Sequence, residues 1–160
     1  MRQNSSRRKF AKRLLAASAA THGVVLLAQQ PGSIKGFDHV ALPMQNTEAM
    51  MAFYRSLGLE VSENANTCSV YIGSQMINFH RPVHWQDEKF TLRAPAAKPP
   101  CGDLCCVWDG SPESVKAMLD RAGAKLVEGP VERQGGRKKA GSSVYVRDPD
   151  GNLLEFMIYS

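Results

Sequence analysis

The order of structural signals in this chain is written twice, and that repeat constrains its fold more than any other feature. "FDHVALPM" reads as a buried strand. "TEAMMAFYRS" follows as a helix with Asn46 at its start, and Met50, Met51, Phe53 and Tyr54 make its packing side. Gly58 stops that helix, and "LEVSEN", "TCSVYIG" and "SQMINFHRP" supply three more strands. After a Pro-rich stretch, "GDLCCVWD" opens a second round. Ser111-Pro112-Glu113 begins the helix "PESVKAMLDRA" with an N-cap and an N1 proline, and Gly123 ends it. "AKLVEGPVER" and "SSVYVRDPDGNLLEFMIY" complete the strands, with a hairpin across Asp150-Gly151.

Landmarks recur at a nearly constant offset: Asp103 follows His39 by 64 residues, and Gly123 follows Gly58 by 65. The expected fold is α+β, two tandem βαβββ modules forming a curved mixed sheet around a metal-binding cleft, because each module exposes a sheet face that needs its twin. The boundaries are a basic leader at 1–34 and a domain at 35–160. Within the domain, module one spans 36–81, a linker 82–100 and module two 101–159.

The charge of +5 looks like a case for nucleic acid until its distribution is considered. Seven basic residues and no acid precede Gly36; from there on, thirteen basic residues face fifteen acidic ones. The folded part has no basic surplus, so a nucleic-acid partner is not expected. Within the leader, Ser6-Arg7-Arg8-Lys9-Phe10-Ala11-Lys12 resembles a twin-arginine export motif. The apolar stretch Leu14 to Ala28 is too short and broken for a stable membrane span. Export to the periplasm is the favoured expectation. A transit-type leader, or a disordered extension on a cytoplasmic protein, is the alternative. The four cysteines form no CxxC pair and read mainly as small apolar residues, with a Cys68 to Cys101 disulfide left open for an exported protein.

Four polar residues occupy equivalent positions of the two halves: His39 and Asp103 in the first strands, His80 and Glu155 in the last. By strand alternation His39 shares a face with Phe37 and Ala41, and His80 with Met76 and Asn78. Asp103 shares its face with Cys105 and Val107, and Glu155 with Leu153 and Met157. Ionised carboxylates are seldom buried unless paired or metal-bound, so Glu155 in an apolar run calls for a partner. If the halves close on each other, these four side chains converge. Two imidazoles and a carboxylate suit Fe, Mn, Ni, Co or Zn, with positions left for substrate. The loop "ERQGGRKKAG" is glycine-rich and basic, and is read either as a lid over an anionic substrate or as a solvated loop.

"GFDHVALPMQNTEAMMAFYRSLGLEV", "MINFHRP", "GDLCCVW", "AGAKLVEGPVER" and "SVYVRDPDGNLLEF" resemble the vicinal oxygen chelate (VOC) superfamily. Its members include glyoxalases, extradiol dioxygenases and bleomycin- or fosfomycin-resistance proteins. The likeness runs from Lys35 to Tyr159 and is strongest to the small virulence-protein and glyoxalase-domain subgroup. The resemblance implies a divalent metal held by His39, His80 and Glu155, with Asp103 as ligand or base and Glu155 and Asp103 as catalytic groups. It departs from the usual pattern at Asp103, where a histidine is common, and at His80, where glyoxalase I carries a glutamate. Asn78, Arg81 and Tyr145 are the candidate substrate contacts. The implied function is a metal-dependent lyase or dioxygenase acting on vicinal oxygens of a small molecule. The alternative is a sequestering protein without catalysis. A homodimer is implied by resemblance alone.

Overall fold

The computed structural model describes residues 32–159. The export-like segment of the leader lies outside those residues. Lys35–Ser160 forms one compact unit. Among the described residues, no helix is long and apolar enough to cross a membrane.

Module one contains β1 (His39–Pro43), α1 (Thr47–Ser56), β2 (Glu60–Glu63), β3 (Thr67–Ile72) and β4 (Gln75–His80). A one-turn helix, α2 (Pro82–Trp85), opens the linker. Module two repeats the pattern with β5 (Asp103–Val107), α3 (Pro112–Arg121), β6 (Leu126–Gln134), β7 (Ala140–Arg147) and β8 (Leu153–Ile158). Each module forms its own four-stranded mixed sheet, in the orders β1-β4-β3-β2 and β5-β8-β7-β6. First and last strands run parallel, and the remaining pairings are antiparallel. The expected α+β architecture of tandem modules is thus present, each module contributing one four-stranded mixed sheet, with β1 and β5 each at an edge.

Helix formation follows the apolar spacing. Met50, Met51 and Tyr54 of α1, and Val115, Met118 and Leu119 of α3, are the buried helix positions. They join Val70, Ile77 and Phe79 of the first sheet and Val144, Val146, Leu154 and Phe156 of the second in one continuous core. After each helix the chain turns through a glycine at positive φ, Gly58 at 83° and Gly123 at 66°, where a Cβ would be strained. Ser111 caps α3 by accepting from the Ser114 amide. All four cysteines are free; Cys68 is buried and Cys101 exposed, so the Cys68 to Cys101 disulfide is not formed.

Asn46 does not cap α1 with its own side chain. The Asp150 carboxylate does this work from the β7–β8 turn, accepting from the Gln45 amide at 2.6 Å, the Asn46 amide at 2.8 Å and Asn46 Nδ2 at 2.8 Å. An anion is favoured there by the helix dipole and the unpaired amides. Two residues earlier, buried Asp148 accepts from the Tyr54 hydroxyl of α1 at 3.0 Å. Asn152 accepts from the Cys101 and Gly102 amides at 3.0 and 2.8 Å, fixing the entry to β5. One turn thus fastens module two to module one.

Tyr54→Phe removes a donor from a buried carboxylate and should lower unfolding free energy by about 1–3 kcal/mol. Asp148→Ala should cost more, and the double variant should cost less than the sum of the two. Urea unfolding followed by circular dichroism checks this. A Tyr54→Phe change within about 0.5 kcal/mol of wild type, the range of neutral surface changes, would mean that the bond does not hold the modules.

Candidate functional site

Each sheet has one face on the core and one turned away from the helices. On β4, Ile77 and Phe79 belong to the core, which leaves Met76, Asn78 and His80 on the other face. On β8, Leu154, Phe156 and Ile158 belong to the core, which leaves Leu153, Glu155 and Met157. All four expected ligands, His39, His80, Asp103 and Glu155, stand on these helix-free faces.

Their levels along the strands differ. In module one His39 lies opposite Met76, Ala41 opposite Asn78 and Pro43 opposite His80. In module two Asp103 lies opposite Leu153, Cys105 opposite Glu155 and Val107 opposite Met157. Counting from His39 and Asp103, the counterpart of Glu155 is Asn78, and the counterpart of His80 is Met157. The expected equivalence of His80 with Glu155 is corrected by this register. His80 stands four residues beyond the level of His39, about 13 Å at the rise of a β-strand.

His39 and Asp103 line one cavity of about 660 Å³ between the β1 and β5 edges, together with Phe37, Met76, Leu104 and Cys105. The Nδ1 of His39 is hydrogen bonded to the Asp38 carboxylate at 2.7 Å, which leaves Nε2 for another partner. Asp38 was not among the sequence candidates, although its place beside His39 was the available signal. Glu155 is half-buried and accepts from the Ser143 hydroxyl at 2.5 Å. Ser143 was also missed; only the alternation in "GSSVYV", which puts it on the face of Tyr145, hints at it. Tyr145 lies opposite Glu155, and its hydroxyl accepts from Arg133 Nε at 3.2 Å.

Other candidates are placed elsewhere. Arg81 Nε donates to Cys68 Sγ at 3.3 Å, and Nη2 to Glu63 at 2.7 Å. Cys68 is a core residue, so Arg81 is committed to the helix side of the sheet. Asn78 accepts weakly from Ser69 at 3.4 Å, on the helix-free face. His80 packs edge-on to His84 and Phe90, with centroids 5.3 and 5.1 Å away. Burial first, then the charge of the adjacent His84 and, last, that of His39 along the same face, lowers its pKa and favours the neutral ring. The loop 135–139 is a short hairpin turn closed by Gly135 N to Lys139 O and Lys138 N to Gly135 O. Arg137 stacks over Tyr159 there, 4.8 Å from its centroid.

The donor types match a divalent metal, and Asp38 holds the far nitrogen of His39 as metal-ligating histidines are often held. Their positions do not complete a site within one chain. Among the described residues, no three His, Cys, Asp or Glu side chains are grouped to hold one ion. His39 and Asp103 share a cavity, Glu155 is held on the adjoining strand, and His80 is distant along β4.

Comparison with known proteins agrees with the fold. The family model for the Glyoxalase/Bleomycin resistance protein/Dioxygenase superfamily matches residues 36–156. Virulence protein STM3117 of Salmonella typhimurium is 34% identical over 128 residues, spanning 79% of this chain and 85% of its own. Its crystal structure superposes with a TM-score of 0.71 at 32% identity, over 81% of this chain and 100% of that one. Glyoxalase domain-containing protein RDO1 of Mycosarcoma maydis is 33% identical over 132 residues, 82% of this chain and 72% of its own. An integron cassette protein from V. Cholerae has a TM-score of 0.71 at 30% identity, covering 82% of this chain and 100% of that one. By family model, sequence and architecture, the chain belongs to the glyoxalase/bleomycin resistance/dioxygenase superfamily, the vicinal oxygen chelate fold.

Proposed function

We propose that this chain is an enzyme acting on a small molecule with vicinal oxygens, bound in the cavity between β1 and β5. The observation that carries the reading is the placement of His39 and Asp103 on facing edges of one cavity, at matching positions of the two modules. Its volume lies in the range of small-molecule sites, and its walls are mostly apolar with a few convergent polar groups.

Within it, His39 is the proton acceptor. Asp38 fixes the ring through Nδ1, so Nε2 presents a lone pair to a C–H or O–H of the substrate. Asp103 supplies a carboxylate on the opposite edge, able to take or return a proton on the neighbouring oxygen. Glu155, oriented by Ser143, is the reserve carboxylate behind them. No step is assigned to a metal, because the donors are not gathered within one chain. A homodimer is part of this reading: the β1 and β5 edges carry exposed Val40 and Val107, which a second copy would cover.

Cys105 lines the same cavity but is not the nucleophile. Partial burial of its thiol and the adjacent Glu155 carboxylate push its pKa up to about 12, although the residue as a whole is exposed at the sheet edge. The thiol is thus protonated at neutral pH, and only the thiolate attacks.

Turnover of a panel of 2-oxoaldehyde–thiol adducts and catechols, with and without added Fe, Mn, Ni, Co or Zn, tests the proposal. His39→Ala and Asp103→Ala should each lower kcat/KM by about 100-fold or more, the scale of a lost acid or base. The exposed control Lys116→Ala should leave it unchanged. Full activity in both site variants would overturn the assignment, and saturable binding without turnover would favour sequestration.

Peptide mapping after iodoacetamide treatment at pH 8 provides a second check. Cys105 should react far more slowly than a free cysteine, and Glu155→Gln should speed it several-fold by removing the nearby negative charge. Wild-type alkylation at the rate of a free thiol would contradict this account of the cavity wall.

A further inference from the structure

A second, smaller cavity of about 60 Å³ lies at the far end of the helix-free face of module one. Ala41, Pro43 and His80 form its floor, and the linker residues Trp85, Arg93 and Ala97 form its roof. No acidic side chain lines it.

Arg93 gives this cavity its chemistry. Its Nη1 donates to the Ala94 and Pro95 carbonyls at 3.3 and 3.1 Å, which anchors the guanidinium against the linker backbone. Its Nε is buried and has no hydrogen-bond partner among the described residues. No described carboxylate forms an ion pair with it. A buried N–H of a permanently charged group is costly to leave unsatisfied, and more so than a neutral one. The opposite wall adds His80, held edge-on by His84 and Phe90, with no side-chain hydrogen bond of its own among the described residues. The fixed positive charge of Arg93 and the His80 imidazole thus line a space of roughly two water volumes. That is the size of a carboxylate group, and guanidinium recognises carboxylates through paired N–H donors.

We propose that the His80–Arg93 cavity is a binding site for a carboxylate group, so that the ligand of this face is a small carboxylic acid. This rests on the reading that the helix-free face is where the small molecule lies: Ala41, which lines this cavity, is the next inward-facing position of β1 after His39. His80 is then an anion-binding group, and its distance from His39 reflects a separate task. The linker 82–100 supplies that task with its cation as well as joining the modules.

Trp85 is a built-in reporter, since it lines the cavity and its indole N–H is fixed to the Met44 carbonyl at 2.8 Å. The test is a titration with sodium formate against sodium chloride at constant ionic strength, reading the two indole N–H signals in ¹⁵N–¹H spectra. The Trp85 signal should move saturably with formate and not with chloride, while that of Trp108 stays still. Arg93→Gln should weaken formate binding at least tenfold. Ala97→Val, which fills the cavity and keeps the charge, should weaken it as well. His39→Ala should leave it unchanged, so that failure of the catalytic reading and failure of this one give different results. A Trp85 signal that ignores formate, that answers chloride equally, or that shifts alike in wild type and both cavity variants would overturn the site and leave it to water.

Discussion

The buried carboxylate of Asp148 is the constraint on which the rest of this structure depends. It is 4% exposed and accepts four hydrogen bonds: from the Tyr54 hydroxyl, the Asp150 and Asn152 amides, and Asn152 Nδ2. Burial raises its pKa, while the bonds from Asn152 and Tyr54 pull the other way. A buried acid satisfied so fully fixes the geometry of everything that donates to it. Here the donors include a helix of the other module. The same turn sends Asp150 to the start of α1 and Asn152 to the start of β5. The modules are thereby set with the β1 and β5 edges facing one cavity, and His39 and Asp103 come to line it together.

On the proposed reading, the helix-free faces divide the chemistry along their length. Near the edges, His39 and Asp103 line an apolar-walled space, with Glu155 on the adjoining strand. At the far end, the linker folds back over β1 and β4 and brings Arg93 to the cavity of His80. In the proposed function one end serves proton transfer and the other charge recognition, which would place the polar anchor of a small ligand away from its reacting atoms. Arg81, which follows His80 directly, takes no part, because alternation turns it toward Cys68 and Glu63 on the other side of the sheet.

Much of this was legible in the sequence. Apolar spacing and glycine stops gave both helices, and Ser111-Pro112 marked the start of α3. The repeated order gave the two modules, and alternation put all four polar candidates on the helix-free faces. Alternation has a period of two, however, so it fixes a face and says nothing about level. His80 and Asn78 share a face, and only the pairing of β1 with β4 shows that Asn78 matches Glu155. The capping of α1 was hidden for a related reason. Asn46 is a good local cap, but the group that binds the helix start is Asp150, 104 residues later. Arg93 sat unremarked in a Pro-rich linker, since no local pattern tells which linker arginine will have its Nε buried without a partner. In the loop at 135–139, glycine content pointed to mobility, whereas Tyr159 reaches across from the C-terminal strand to hold it.

Native-state hydrogen exchange of the Gln45 and Asn46 amides tests most directly whether the turn joins the modules into one unit. Both belong to module one and donate to the Asp150 carboxylate of module two. If the clamp holds the two sheets as one cooperative structure, these amides exchange only through global unfolding, with the same free energy as the central amides of β4 and β8. If they exchange through a lower-energy opening while both sheet centres stay protected, the modules move independently. The cavity would then have no fixed walls, contradicting this account of how His39 and Asp103 are brought together.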